Sequence, residues 1–198
     1  MFVQIEGIDG SGKTTQSKLL RDWMVANNMP VIIVKELEST ALGRKIKETL
    51  TQSLMNTVNA EMFLFLASKA QVFSEIILPA LAKGKSVIAD RGNGSFISYN
   101  ASLGIDRQMI IHLLDTVNLG TIPDITILLD LPATKAKKRL ASREVKSRFD
   151  LVSEAQMEKQ RYQFLSLSET LPNWTIIDGS LEKEVINQKI VQKIKERL

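Results

Sequence analysis

Cysteine is absent from the 198-residue chain, and histidine occurs once. The first absence excludes disulfides and thiolate metal sites, and points to a reducing, cytoplasmic location. The lone His112 sits in the apolar run MIIHLL and is expected to be packed or at a boundary, not to act as a general base. No apolar run approaches the roughly 20 residues of a membrane span, so no membrane partner is expected. The N-terminus MFVQIEG carries no basic stretch ahead of a long apolar core, so no signal peptide is expected. No basic tract gathers the modest net charge of +4 into one place, which suits small polyanions and does not call for nucleic acid. Repeats, low-complexity tracts and linkers are also missing, and the expectation is one domain over residues 1–198.

What is present is ordinary for a globular chain: 44% hydrophobic and 24% charged residues. Short apolar runs alternate with amphipathic stretches. FVQIE, PVIIVKE, KSVIAD, PDITILLDL and NWTIIDG read as five strands. Between them lie helical patterns, among them a long apolar stretch from Ala60 that is expected to kink near Pro79 and stop at Gly84. The last helix shows Ile186, Ile190 and Ile194 at four-residue spacing. This alternation predicts an α/β fold of three layers, a five-stranded parallel sheet flanked by helices. Ligands of such sheets bind beyond the carboxyl ends of the strands.

One strand runs directly into GIDGSGKT. Gly7, Gly12, Lys13 and Thr14 fit G-x-x-x-x-G-K-[ST] with a strand before and a helix after. The loop Gly7, Ile8, Asp9, Gly10, Ser11, Gly12, Lys13, Thr14 and Thr15 is therefore the expected ATP-binding segment. Its amides and the helix N-terminus suit phosphate oxygens, Lys13 the terminal phosphates, and the Thr14 hydroxyl Mg²⁺. Asp90 closes another strand, and a carboxylate there suits Mg²⁺ through water. Asp130 closes a further strand and is expected to interact with the start of the next helix. No Asn-Lys-x-Asp signature is present, which lowers the case for a switch GTPase. Asp9 is the anomaly, an acid inside a loop built for anions.

These residues resemble the thymidylate kinase family. FVQIEGIDGSGKTTQSKLL looks like that family's opening, and LFLASKAQVFSEIILPALAKGKSVIADR, IPDITILLDLPATKAKKRL, RFD and IIDGS follow in its order over essentially the whole chain. The resemblance implies a nucleoside monophosphate kinase fold, transfer of the γ-phosphoryl of ATP to dTMP with Mg²⁺, and a homodimer joined through the long helices. It implies that Asp9 approaches the acceptor's 3′-hydroxyl and that Arg91 binds the acceptor phosphate. Phe65 would stack on the base, with Lys69 where an arginine faces it. Tyr99 would stand beside the sugar, and Ser95 would line the acceptor site. Lys35 stands in place of a phosphate-binding arginine, and Gly92 in place of an aromatic. The segment Gly92–Phe96 is expected to be flexible.

From Lys135 to Asp150 there are seven basic residues and two acids. Lys135, Lys137 and Lys138 are expected to form a solvated helix face. A lid is expected around residues 142–152, with Arg143 and Arg148 as candidate catalytic residues. The variable loop positions Ile8, Gly10 and Ser11 carry no cation that would replace them. The departures at Lys35, Lys69 and Gly92 all fall on the acceptor side. They leave room for a related kinase with another nucleoside monophosphate acceptor, or, less favoured, a non-catalytic nucleotide-binding protein.

Overall fold

The computed structural model describes residues 1–52, 57–142 and 152–198. Chain order is β1 (Phe2–Glu6), α1 (Lys13–Ala26), β2 (Val31–Val34), α2 (Ala41–Thr51) and α3 (Val58–Val72). A π-helical turn (Phe73–Ile77) then leads into α4 (Leu78–Ala82), β3 (Ser86–Asp90), α5 (Asn93–Ser102) and α6 (Arg107–Asn118). The chain closes with β4 (Ile125–Asp130), α7 (Ala133–Ala141), α8 (Glu154–Thr170), β5 (Trp174–Asp178) and α9 (Lys183–Lys195).

The five strands form one parallel sheet in the order β2-β3-β1-β4-β5. The period-2 alternation of the central strand β1 assigns its two faces. Val3 and Ile5 join Ile88, Ile125, Ile127 and Leu129 in a core closed by Leu20 and Met24 of α1 and by Ile186, Ile190 and Ile194 of α9. Each fully buried aliphatic side chain of this kind is worth about 1.5–3 kcal/mol. The alternate residues Phe2, Gln4 and Glu6 point to the other face. Phe2 meets Phe73 edge-on at 6.0 Å, whereas Gln4 and Glu6 are buried polar groups beneath the start of α5.

Helix starts follow local chemistry. Thr40, Asp106 and Ser153 accept hydrogen bonds from Gly43, Met109 and Gln156, N-caps worth about 1 kcal/mol each. Residues Val58–Ala82 form one helical rod that is long and apolar enough, by length and composition, to cross a membrane. That corrects the expectation that nothing here reaches such a length. Much of the apolar surface is used inside: Met62 and Leu66 pack on α5 and α6, and Val72, Phe73, Ile77 and Ala80 pack on the sheet. The break precedes Pro79, because the wide π turn adapts the helix to a residue lacking an amide hydrogen.

The segment expected to be flexible is ordered. Asn93–Ser102 is helix α5. A Cβ at Gly92 would lie 2.3 Å from the Gln4 side chain, and one at Gly94 would lie 2.6 Å from Trp174. The glycines permit a tight junction rather than mobility. His112 is exposed on α6, not packed, because it falls opposite Ile110 and Leu114, which carry the buried stripe.

Candidate active site

The register Ile5↔Asp90 sets the ends of β1 and β3 side by side, so the phosphate loop and the Asp90-Arg91 corner share one edge of the sheet. There they border a cleft of about 390 Å³. Its lining includes Asp9, Gly10, Gly12, Lys13, Thr14 and Thr15 from the loop and α1, Lys35 after β2, and Phe65 of α3. Asp90, Arg91, Ser95 and Tyr99 complete the expected set. Sites of this size commonly hold small ligands.

The loop takes left-handed backbone at Gly7, Gly10 and Gly12. Ile8 turns its side chain into the core beside Leu128, Ala136 and Leu140, and Ser11 is fully buried; neither of these nor Gly7 lines the cleft. Lys13 is buried, and its ammonium donates to the carbonyls of Gly7 and Ile8, both at 2.8 Å. Burial, helped by the nearby Arg91 charge, pushes that ammonium down to about 7, against the pull of Asp9, Asp90 and Glu6.

The Thr14 hydroxyl donates to Asp90 Oδ2 at 2.6 Å. A hydroxyl and a carboxylate oxygen thus adjoin at the N-terminus of α1, a hard, all-oxygen pair that fits Mg²⁺. Among the described residues no group of three or more acidic or histidine side chains gathers as a metal site. Lys35 Nζ stands 3.6 Å from Asp90 Oδ2 and 3.6 Å from Glu38 Oε2.

Asp9 forms an ion pair with Arg91 Nη2. Burial opposes the Arg91 charge, but Asp9, Asp90, Glu6 and Glu36 more than offset it and hold the guanidinium above its usual range. Arg91 adopts a φ of 79°, a strained backbone for a side chain of that size. Glu6 holds the corner in place. It accepts from the Gly92 and Ser95 amides, each at 2.9 Å, and from the Ser95 hydroxyl. Ser95 Oγ in turn accepts from Arg91 Nη1 at 3.3 Å. Glu6 therefore caps α5 from the neighbouring strand, where Gly92 has no side chain to do so. Burial raises its carboxyl above the ordinary range, despite the bonds from Ser95.

Phe65 and Tyr99 set their ring centroids 6.5 Å apart on the cleft wall. Lys69 does not join them. It is buried and its ammonium pairs with Glu36 Oε2 at 3.0 Å, beside a small cavity under Arg91 and Gly92. Asp130 is also corrected. It accepts two bonds from Arg161, at 2.6 and 2.9 Å, and the start of α7 is held by Glu158, which accepts from the Ala133 amide at 3.0 Å. Arg143 and Arg148 lie outside the described residues, as does most of the expected lid. Of the basic run, Arg139 reaches the loop, donating to the Gly10 carbonyl at 3.4 Å.

A thymidylate kinase family profile matches residues 5–190. The chain belongs to the thymidylate kinase family. It is 35% identical to a probable thymidylate kinase of Thermococcus onnurineus, over 100% of this chain and 98% of that protein. It is 37% identical to a probable thymidylate kinase of Pyrococcus horikoshii, over 100% and 97% of the two chains. It is 37% identical to a thymidylate kinase of Thermosipho melanesiensis, over 96% and 95%. The family uses ATP, which agrees with the loop. The residues that sequence reasoning missed at this family site are Glu6, Arg139, Asn100 and Gln160. Glu6 stood in the quoted motif, but its role depends on β1 lying beside β3. For Gln160 no sequence signal existed, since it sits mid-helix among charged residues.

Proposed function

We propose that this thymidylate kinase family member transfers the γ-phosphoryl group of ATP to dTMP, giving ADP and dTDP. The observation that carries the proposal is the phosphate loop with an acid inside it. Lys13 and Thr14 line one cleft with Phe65 and Tyr99, and Asp9 pairs with Arg91, which also donates to Ser95 on α5, the helix that carries Tyr99.

On the donor side, the loop amides from Gly7 to Thr15 and the N-terminus of α1 bind the triphosphate. Lys13 exchanges its bonds to Gly7 and Ile8 for phosphate oxygens. Thr14 and Asp90 would hold Mg²⁺, Asp90 in part through water, and the ion would neutralise charge on the β- and γ-phosphates. On the acceptor side, Arg91 and Lys35 bind the monophosphate, with Ser95 bracing Arg91. Asp9 accepts a hydrogen bond from the 3′-hydroxyl, Phe65 stacks on the base, and Tyr99 stands beside the sugar against a 2′-hydroxyl. Lys69 takes part through its partner Glu36, which lines the cleft. The acceptor phosphate oxygen is already ionised, so attack needs alignment and charge neutralisation rather than a base. Arg143 and Arg148 are assigned by sequence to that neutralisation, on a lid around residues 142–152 of a single 1–198 kinase domain.

The Lys69–Glu36 pair and Gly92 support one second reading, a different nucleoside monophosphate acceptor. ADP release with ATP and Mg²⁺ across a panel of nucleoside monophosphates separates the two. Turnover confined to dTMP supports the first, turnover with another monophosphate the second. ATP binding with no phosphorylation of any acceptor overturns both.

The quaternary state belongs to the same proposal. Phe63 is 57% exposed on helix α3, with Val58 and, on the adjoining α6, Met109 also exposed. A homodimer closed through this face would bury them.

A further inference from the structure

Gln4 takes no part in the mechanism proposed above, although its amide lies directly beneath the Arg91–Gly92 corner. Its Oε1 accepts from the Asn93 amide at 3.2 Å, at the start of α5. A backbone N–H can donate only to the carbonyl end of a primary amide, so this bond fixes the side chain and turns Nε2 the other way. Gln4 is 2% exposed, and its Nε2 is a buried donor without a hydrogen-bond partner among the described residues. A Cβ at Gly92 would lie 2.3 Å from the Gln4 side chain, so the amide is held tightly against the corner.

Glu36 carries the matching half. Its Oε2 pairs with Lys69 at 3.0 Å, while its Oε1 is a buried acceptor without a partner among the described residues. Gln4, Glu36 and Lys69 line one cavity of about 20 Å³, together with Arg91, Gly92 and apolar side chains such as Phe2, Val34 and Phe73. A water molecule needs about 10–15 Å³ of such space and two to four polar partners, so the cavity has room for one water and not two. A buried donor and a buried acceptor left unmet are both costly, and one bridging water satisfies the two together. The occupant is neutral, because a cation would face Lys69 and Arg91 and an anion would face Glu36.

We propose that this cavity is a binding site for one ordered water, which accepts from Gln4 Nε2 and donates to Glu36 Oε1, and that Gln4 acts through it as a positioning residue for Glu36. Lys69 has N–H donors beyond the one given to Glu36 and supplies a third contact. The site reaches function because Glu36 lines the cleft as well as the cavity. Arg91 feels the Glu36 charge. With Oε1 held by the water, the carboxylate stays on Lys69 and leaves Arg91 to the acceptor phosphate. The water site stands apart from the reaction, and only its effect on the acceptor rests on the kinase function proposed above.

The first test is a high-resolution crystal structure of the wild-type chain without nucleotide. One water peak within hydrogen-bond distance of both Gln4 Nε2 and Glu36 Oε1 is expected. An empty cavity, or a peak that touches neither atom, overturns the site. The second test is steady-state kinetics with ATP, Mg²⁺ and dTMP, comparing wild type with Gln4→Met, a side chain of similar length without the N–H. KM for dTMP should rise about fivefold while KM for ATP stays within about twofold. Equal changes for both substrates, or a lower melting temperature with KM for dTMP unchanged, makes Gln4 structural only and overturns the positioning role. Should Gln4→Met not fold, Gln4→Leu carries the kinetic comparison, and the wild-type map still decides the site. Absence of dTMP turnover in wild type overturns the kinase proposal and the acceptor effect with it, while the water site stands or falls on the map.

Discussion

Asp9 of the phosphate loop and Arg91 at the end of β3, 82 positions apart, are joined as an ion pair at the mouth of the cleft. Two like charges about 4 Å apart cost roughly 4 kcal/mol at an effective dielectric near 20. An acid inside an anion loop is tolerable because a guanidinium on the neighbouring strand answers it. On the proposed function, the pair separates a donor side of the loop from an acceptor side.

The acceptor side of that division is testable through Asp9. Asp9→Asn should raise KM for the acceptor about tenfold and leave KM for ATP near its wild-type value. A 3′-deoxy acceptor should lose turnover in wild type but little further in the variant. Equal effects on both substrates in kinetic assays would sink the assignment.

On the donor side, Lys13→Ala should lower kcat/KM by about 10² or more, as expected for a lost charge on the transferring group. Lys137→Ala, at a half-buried position of α7 that does not line the cleft, should stay within about twofold. Parallel behaviour of the two variants would show that the donor site is misplaced.

Glu6 gives a pH signature. Burial raises its folded-state pKa above the ordinary 4.5, so the folded protein binds this proton more tightly than the unfolded chain. Its contribution to stability is fully present below the unfolded pKa and is lost as pH rises through the raised value. Glu6→Gln removes the titration. The melting temperature of wild type minus that of Glu6→Gln should therefore fall as pH rises from about 4.5, as thermal unfolding across that range would record. A difference that grows with pH would contradict the burial argument.

Gly94 sets helix propensity against packing. Alanine would gain about 1 kcal/mol in an open helix. Here its Cβ would lie 2.6 Å from Trp174 and 3.0 Å from Glu6. Overpacking of this kind costs about 1–3 kcal/mol, so Gly94→Ala should lower stability in denaturant titrations. Stabilisation would mean that Trp174 yields freely.

Phe63→Glu tests the dimer. Sedimentation should show a monomer where wild type shows a dimer, because a charge at the centre of an apolar face is not compensated. A wild-type monomer would remove the interface proposal altogether.

The strands, the parallel sheet and the phosphate loop were legible in the sequence because each rests on local signals: apolar runs, helical spacing, and glycines followed by Lys13-Thr14. Helix α5 was not, since Gly92, Asn93, Gly94 and Ser95 are poor helix formers and its cap comes from Glu6 on another strand. Asp130 was misassigned for the same kind of reason. Its partner Arg161 lies 31 positions later, and only the packing of α8 against β4 brings it near. Lys69 shares a helix face with Phe65 by spacing, but spacing does not reveal that Glu36 claims its charge.

The sequence by itself determined the family, the fold class and the glycine-rich loop between β1 and α1, because those depend on residue types at fixed separations along the chain. Only the tertiary structure decided which charges meet. Asp9 found Arg91, Thr14 found Asp90, Lys69 turned to Glu36, and Gln160 came to line the cleft. Such pairings depend on strand order and helix packing, which place distant residues within a few ångströms and which no local pattern encodes.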